Sequence, residues 1–301
     1  MGDPPVWSTP LRPPGCMVSV VAGPGYGRSG EVSFMSTLSP ITFADVTFDI
    51  CTDSTNPALF VFGIRKSGSS IMNAMVAALA EMNAVNYVDV AGKLFAKGVR
   101  VRDWQPDTGM GTLLYPGNLY GGFRNAPLGI AGHPILPESP KVLLVRDPRD
   151  ALVSEYFSNA YSHSLPKEGE MLDVMLAERS AALRNSISEY VMRMAGNFRN
   201  TLRQYDPFLN MPNMRLYRYE DAIMNKRWFL EDMCGHFGWT VTETQLDQIL
   251  SWADVLPAEE NPTEFVRKVT PGDHKDKLDS ETIAKLSDMF AAEIDHYRYE
   301  R

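Results

Sequence analysis

Cysteine is scarce. Cys16, Cys51 and Cys234 are the three in a chain of 301 residues. An odd number at scattered positions gives no disulfide framework and no zinc-ligand spacing, so reduced thiols and a cytoplasmic setting are expected. Positive charge is also short: 29 Lys and Arg stand against 37 Asp and Glu, a net charge of −8. That argues against a general nucleic-acid binder and leaves room only for a local basic pocket. No apolar run approaches the length of a membrane span. The opening Met1-Gly2-Asp3-Pro4-Pro5 has no basic-then-apolar pattern, so no signal peptide is expected, and Val6 stands where myristoylation favours Ser or Thr. No internal repeat is found.

With 44% hydrophobic residues, the chain can bury a substantial core. The most informative stretch begins at Ala58-Leu59-Phe60-Val61-Phe62-Gly63-Ile64, an apolar run. A basic pair, a tight turn at Ser67-Gly68 and two hydroxyls, Ser69 and Ser70, follow it. Met72, Met75, Val76, Leu79 and Met82 then recur at helical spacing and read as a core stripe. The order is strand, loop, helix. Backbone N–H groups at a helix start, beside a lysine and hydroxyls, form an anion site.

Residues 1–30 are rich in Pro and Gly and read as an extended arm. Val46, Phe48 and Ile50 alternate with polar residues, which predicts one or two strands, with a hairpin turning near Ser39-Pro40. A short strand is expected over residues 85–90. Residues 91–126, with many glycines and Trp104, Tyr115, Tyr120 and Phe123, read as long aromatic loops that help form a substrate pocket. Residues 128–132 read as a strand ending at His133. Lys141-Val142-Leu143-Leu144-Val145 is a clearer strand. Asp147 behind it suits a helix N-cap, Pro148 the first helical position and Asp150 the positive helix start. Arg149 reads as a solvated helix charge. Helix is expected over residues 171–205 and 220–237, strand over 214–217, and an amphipathic helix over 280–297 with Ile283, Leu286, Met289, Phe290 and Ile294 on one face. The fold class is therefore α/β: a P-loop-containing, mainly parallel central sheet flanked by helices, with a β-rich N-terminal extension. The expected division is an arm and β-rich extension over 1–56 and the main domain over 57–301. Ligands of such sheets sit at the carboxyl ends of the strands, where the Arg65–Ser70 loop, His133 and Arg146 are all expected.

The loop does not follow the Gly-x-x-x-x-Gly-Lys-Ser/Thr order of nucleoside triphosphate sites, because Lys66 precedes the turn glycine. It resembles instead the Pro-Lys-Ser-Gly-Thr-Thr loop of sulfotransferases that use 3′-phosphoadenosine 5′-phosphosulfate, here Arg65-Lys66-Ser67-Gly68-Ser69-Ser70. Three further segments are similar to that family. They are Arg146-Asp147-Pro148-Arg149-Asp150-Ala151-Leu152-Val153-Ser154, then Leu216-Tyr217-Arg218-Tyr219-Glu220-Asp221, then Arg267-Lys268-Val269 with Gly272-Asp273-His274-Lys275. The resemblance covers roughly residues 57–300.

What the resemblance implies is transfer of a sulfuryl group from that donor to a hydroxyl or amine of a small molecule by in-line displacement, without a metal. It implies that Lys66 stabilises the leaving phosphate and that Arg65 and Ser67 to Ser70 hold the 5′-phosphate. Arg146, Ser154, Arg267 and Lys268 would grip the 3′-phosphate. Fixed cations placed where charge develops favour the transition state over the ground state. His133, in a His-Pro pair similar to the family's Thr-His-x-Pro, is the implied general base, with His163 as its rival. His236, His274 and His296 read as surface or packing residues.

The chain departs from the family pattern at Ile71, where a Trp often stacks on adenine, at Val269 and at His274. Ser251, Trp252, Phe265 and Tyr219 are the remaining candidates to hold the base. The expected partners are a small-molecule acceptor, no nucleic acid and no membrane span, with a homodimer allowed. Two other readings stay open: a P-loop kinase or NTPase, and a non-catalytic nucleotide-binding scaffold.

Overall fold

A computed structural model describes residues 37–163, 170–264 and 266–300. The arm expected over residues 1–30 and the candidate Phe265 lie outside the described residues. Residues 37 onward form one unit.

That unit opens with an antiparallel hairpin, β1 (Leu38–Phe43) and β2 (Val46–Cys51). Its two-residue turn is Ala44-Asp45, both with positive φ, as a primed hairpin turn needs. The turn is therefore not at Ser39-Pro40, which lies inside β1. Phe43, Val46, Phe48 and Ile50 reach the same core as Phe60 and Phe62.

The central sheet runs through β3 (Leu59–Gly63), β4 (Asn86–Asp89), β5 (Asn118–Phe123), β6 (Lys141–Val145) and β7 (Met214–Arg218). Among the described residues it is five-stranded, in the order β4-β5-β3-β6-β7, and every pairing is parallel. Such strands are covered on both faces and read as continuous apolar runs. Alternation then sorts side chains between two cores: Phe60, Phe62, Leu143 and Val145 face one layer, Leu59, Val61, Val142 and Leu144 the other.

The helices follow in chain order. α1 (Ser69–Met82) buries Met72, Met75, Val76 and Leu79 as its stripe predicts. α2 (Val90–Ala96) and α3 (Val101–Trp104) lie in the stretch read as loops, as does β5. Trp104, Tyr120 and Phe123 are core residues, so these aromatics do not form an open substrate pocket. The strand expected at residues 128–132 is a 3-10 turn, Leu128–Ile130, and His133 stands at no strand end.

α4 (Pro148–Phe157) starts as expected, with Asp147 accepting from Arg149 N. Arg149 itself is buried rather than solvated. Its guanidinium pairs with Asp147 and donates to Ser287 Oγ and the Glu300 carbonyl, tying α4 to the C-terminal segment. α4 continues into a π-helical turn, Ser158–Ser162, which delivers His163. α5 (Glu170–Arg184) and α6 (Ile187–Arg203) follow, then the short α7 (Asp206–Leu209). The helix expected over 220–237 is two, α8 (Tyr219–Ala222) and α9 (Lys226–Phe237). α10 (Glu243–Ala253) packs beside α1, and α11 (Asp273–Lys277) against α4. The C-terminal amphipathic segment is split into α12 (Ser280–Met289) and α13 (Ala291–His296), with Leu286, Phe290 and Ile294 buried. No helix among the described residues is long and apolar enough to cross a membrane.

Candidate active site

The loop between β3 and α1 has a shape that its sequence requires. Lys66 and Gly68 both take left-handed backbone, with φ of 66° and 82°. Gly68 is needed twice over: its φ suits glycine, and an added Cβ would lie 3.0 Å from the Tyr219 ring. Ser67 is fully buried, and its hydroxyl and backbone N–H both donate to the Ile64 carbonyl, at 2.5 and 3.1 Å. Its donors are therefore spent on holding the turn, not free for a phosphate. No side chain caps α1, which leaves the first-turn N–H groups of Ser69 and Ser70 pointing out of the loop.

Arg65 does not face the loop's crevice. It turns inward, its Nε 3.6 Å from Glu155 Oε1 and its guanidinium over the Phe198 ring. Lys66 is the loop's other cation. Burial pushes its pKa down to about 8; Glu155 opposes this, while Arg146, Arg124 and Arg267 add to it. Three guanidinium groups from distant parts of the chain thus act on one ammonium.

Arg146 stands at the end of β6, only 5% exposed, with NH1 donating to the Lys66 carbonyl at 3.3 Å. It lies 4.2 Å from the centre of the Tyr219 ring, and its Nε is buried without a partner. Tyr219 is enclosed below Gly68 and donates its hydroxyl to the Val269 carbonyl, so it serves as the platform for Arg146 and not as an open adenine surface. Asp150, Ser154 and Phe157 fall at i, i+4 and i+7 on α4 and share a face. Asp150 accepts from Gly272 N, His274 N and His274 Nδ1 at 2.7, 2.9 and 2.6 Å. Burial alone would raise its pKa, but His274 and Arg146 hold it well below the usual carboxylate range. His274 is accordingly a buried packing residue. Arg267 stacks on Phe157 at 4.1 Å and pairs with Glu260 and Asp273; Lys268 pairs with Asp273 and Asp276. Arg146, 3.9 Å from Asp150, and Arg267, on Phe157, thereby lie along the α4 face that carries Ser154, while Lys268 is held by α11.

Two further residues bear on this loop, one absent from the sequence candidates and one ranked second there. Arg124, directly after β5, donates from NH2 to Ser70 Oγ at 3.0 Å. His163 receives the charge of Lys66, Arg124 and Arg179 as well as burial, and its pKa falls to about 4. His133 is placed elsewhere. Its ring packs against Gly111, its Nδ1 accepts from Ile135 N, and burial alone lowers its pKa. Lys66 and Arg124 thus add to burial in lowering the pKa of His163, whereas burial is the cause for His133.

Of the adenine candidates, Ser251 is exposed and bonds its own helix at Gln248. Trp252 packs on the α1 layer that also holds Ile71. Among the described residues no group of three or more His, Cys, Asp or Glu side chains could hold a metal. Cys51 and Cys234 are buried and free.

A family model described as a sulfotransferase domain matches residues 133–298, over half of the chain. The chain belongs to the sulfotransferase family. The matched part of this sulfotransferase holds Arg146, Ser154, Tyr219, Arg267 and Lys268, while the Arg65–Ser70 loop lies before it. Curated proteins give no match. Among solved structures, a mouse sulfotransferase complexed with PAP is 11% identical, covering 85% of this chain and 94% of its own, with a TM-score of 0.53. A sulfotransferase from Alicyclobacillus acidocaldarius is 12% identical (82% and 98% covered, TM-score 0.43). A retinol dehydratase in complex with androsterone and inactive cofactor PAP is 15% identical (80% and 82% covered, TM-score 0.42). At these identities the first likeness is one of fold.

Proposed function

We propose that this sulfotransferase takes 3′-phosphoadenosine 5′-phosphosulfate as donor and passes its sulfuryl group to a hydroxyl or amine of a small molecule in a cytoplasmic setting. The observation that carries the reading is that two guanidinium groups from separate segments meet the one loop, Arg146 at the Lys66 carbonyl (3.3 Å) and Arg124 at Ser70 Oγ (3.0 Å), with Arg267 adding to the charge that disfavours the Lys66 ammonium. So much fixed positive charge around one ammonium is costly in the empty enzyme and is offset by a polyanionic ligand.

The residues divide by position. The uncapped start of α1 and Lys66 serve the 5′ end of the donor. Arg146, with its unpartnered Nε, and Ser154, Arg267 and Lys268 serve the 3′-phosphate, where a planar guanidinium suits an oxyanion. Arg267 and Lys268 are paired with Asp273, so a bound phosphate competes with that carboxylate. Ile71 and Trp252 offer the apolar surface for adenine. The donor supplies an activated sulfuryl group. The acceptor oxygen or nitrogen bonds to sulfur as the sulfur–phosphate oxygen bond breaks. His163 Nδ1 or Nε2 takes the acceptor's proton, Arg124 faces the sulfuryl oxygens, and Lys66 neutralises the departing phosphate oxygen.

Incubating the protein with the donor and a mixed small-molecule library, and reading by mass spectrometry for added sulfuryl groups, tests the proposal. Transfer to one chemical class of acceptor is expected. No transfer to any member, with the donor bound, contradicts it.

A further inference from the structure

Asp150, in the first turn of α4, and His274, in α11, meet in the interior, 1% and 3% exposed. The carboxylate takes three hydrogen bonds from one short stretch. Oδ2 accepts from Gly272 N at 2.7 Å; Oδ1 accepts from His274 N at 2.9 Å and from His274 Nδ1 at 2.6 Å. An ionised carboxylate only accepts, so Nδ1 carries the proton. His274 Nε2 is buried and has no partner among the described residues. An apolar side chain would fill the same space without that penalty, so packing alone does not account for an imidazole here.

Asp150 also stands four residues after Arg146. Arg146 Nη2 lies 3.9 Å from Asp150 Oδ2, beyond hydrogen-bond range, and a closure of about 1 Å would join them. Arg146 donates from Nη1 to the Lys66 carbonyl, and its Nε stays buried without a partner. A guanidinium beside a buried carboxylate gains a strong, charge-assisted bond by closing on it. This pair stands open because the carboxylate is engaged from its other side.

We infer that His274 is a positioning residue for Arg146. With the two backbone N–H groups beside it, its ring holds the Asp150 carboxylate and keeps it from closing on the guanidinium, which stays open to an oxyanion. The inference rests on the reading of Arg146 as a grip on the 3′-phosphate. The same contact places the other cations of that grip. Asp273, between Gly272 and His274, pairs with Arg267 and Lys268, and the Val269 carbonyl accepts from Tyr219, the ring under Arg146. The 267–274 segment is thereby fixed to α4 at Asp150 and to the Arg146 platform at Tyr219.

The test measures calorimetric affinities for 3′-phosphoadenosine 5′-phosphate and 5′-AMP in the parent chain, His274→Leu, His274→Asn and the double variant Asp150→Asn/His274→Leu. In His274→Leu the freed carboxylate competes for Arg146, so bisphosphate affinity should fall ~10-fold while 5′-AMP affinity changes less than about three-fold. Asparagine carries an N–H at the place of Nδ1, so His274→Asn should bind the bisphosphate within about three-fold of the parent. The double variant removes the competing charge and should bind the bisphosphate more tightly than His274→Leu. A merely structural role would make it weaker, since two buried contacts are altered instead of one. His274→Met, whose flexible side chain adapts to the space, stands in if His274→Leu folds poorly. A His274→Leu chain that keeps the parent's margin of bisphosphate over 5′-AMP, or a double variant no tighter than His274→Leu, overturns the inference. Failure of the underlying reading looks different: the parent chain itself would show no such margin.

Discussion

The Arg146 guanidinium lies 4.2 Å from the centre of the Tyr219 ring, and the same ring lies under Gly68 of the anion loop. One aromatic side chain therefore supports both Arg146 and the loop of Gly68. Tyr219→Phe keeps the ring and loses the bond to the Val269 carbonyl. It should weaken bisphosphate binding by less than about five-fold, roughly one ordinary hydrogen bond. Tyr219→Ala removes the cation–π platform and should cost a further ~10-fold. Calorimetric titration checks both; equal losses would make the hydroxyl, not the ring, the important part.

Gly68→Ala asks an L side chain to hold φ of 82° and to meet the Tyr219 ring at 3.0 Å. The backbone term alone costs about 1–2 kcal/mol. The expected outcome is a lower Tm together with loss of nucleotide binding, since the loop and the platform cannot both keep their places. An unchanged Tm would mean that the loop has another conformation.

The two histidines separate cleanly by substitution. His163→Ala should lower turnover by ~10²–10⁴ with bisphosphate affinity nearly intact, the usual cost of losing a general base. His133→Ala, packed against Gly111, should turn over within about three-fold of the parent. Single-turnover rates with saturating donor measure this, and the reverse pattern would return the base to His133.

The pH profile has a fixed sign. In the free enzyme His163 is neutral above about 4 and Lys66 is charged below about 8. kcat/KM for the donor should be bell-shaped between those limits. A bound polyanion favours the charged form of both groups, so both limbs of kcat should lie at higher pH than those of kcat/KM. Limbs that move to lower pH on donor binding contradict the assignment.

Much of this was legible in the sequence, for local reasons. The strand of residues 141–145, the Asp147 cap and Pro148 declare their own strand-to-helix junction, and the loop of Lys66 and Gly68 follows from its order of residues. β5 was not legible. Asn-Leu-Tyr-Gly-Gly-Phe has neither alternation nor β-branched residues, because it is buried on both faces and its glycines answer to distant neighbours. A Cβ on Gly121 would strike the Tyr87 ring, and one on Gly122 the Asp89 carboxylate. With β5 unseen, Arg124 had no strand end to stand on. Similarly, Arg149 meets Ser287 and the Glu300 carbonyl, partners more than a hundred residues away, so its burial left no local mark.

The most direct measurement of the account is calorimetric competition among 3′-phosphoadenosine 5′-phosphate, 5′-AMP and ATP, in the parent chain and in Arg146→Lys. The account predicts that the bisphosphate binds at least ~100-fold more tightly than either competitor, and that Arg146→Lys erodes most of that margin by exchanging a planar fork for a point charge. ATP binding as tightly as the bisphosphate, or an Arg146→Lys variant that keeps the full margin, would contradict it.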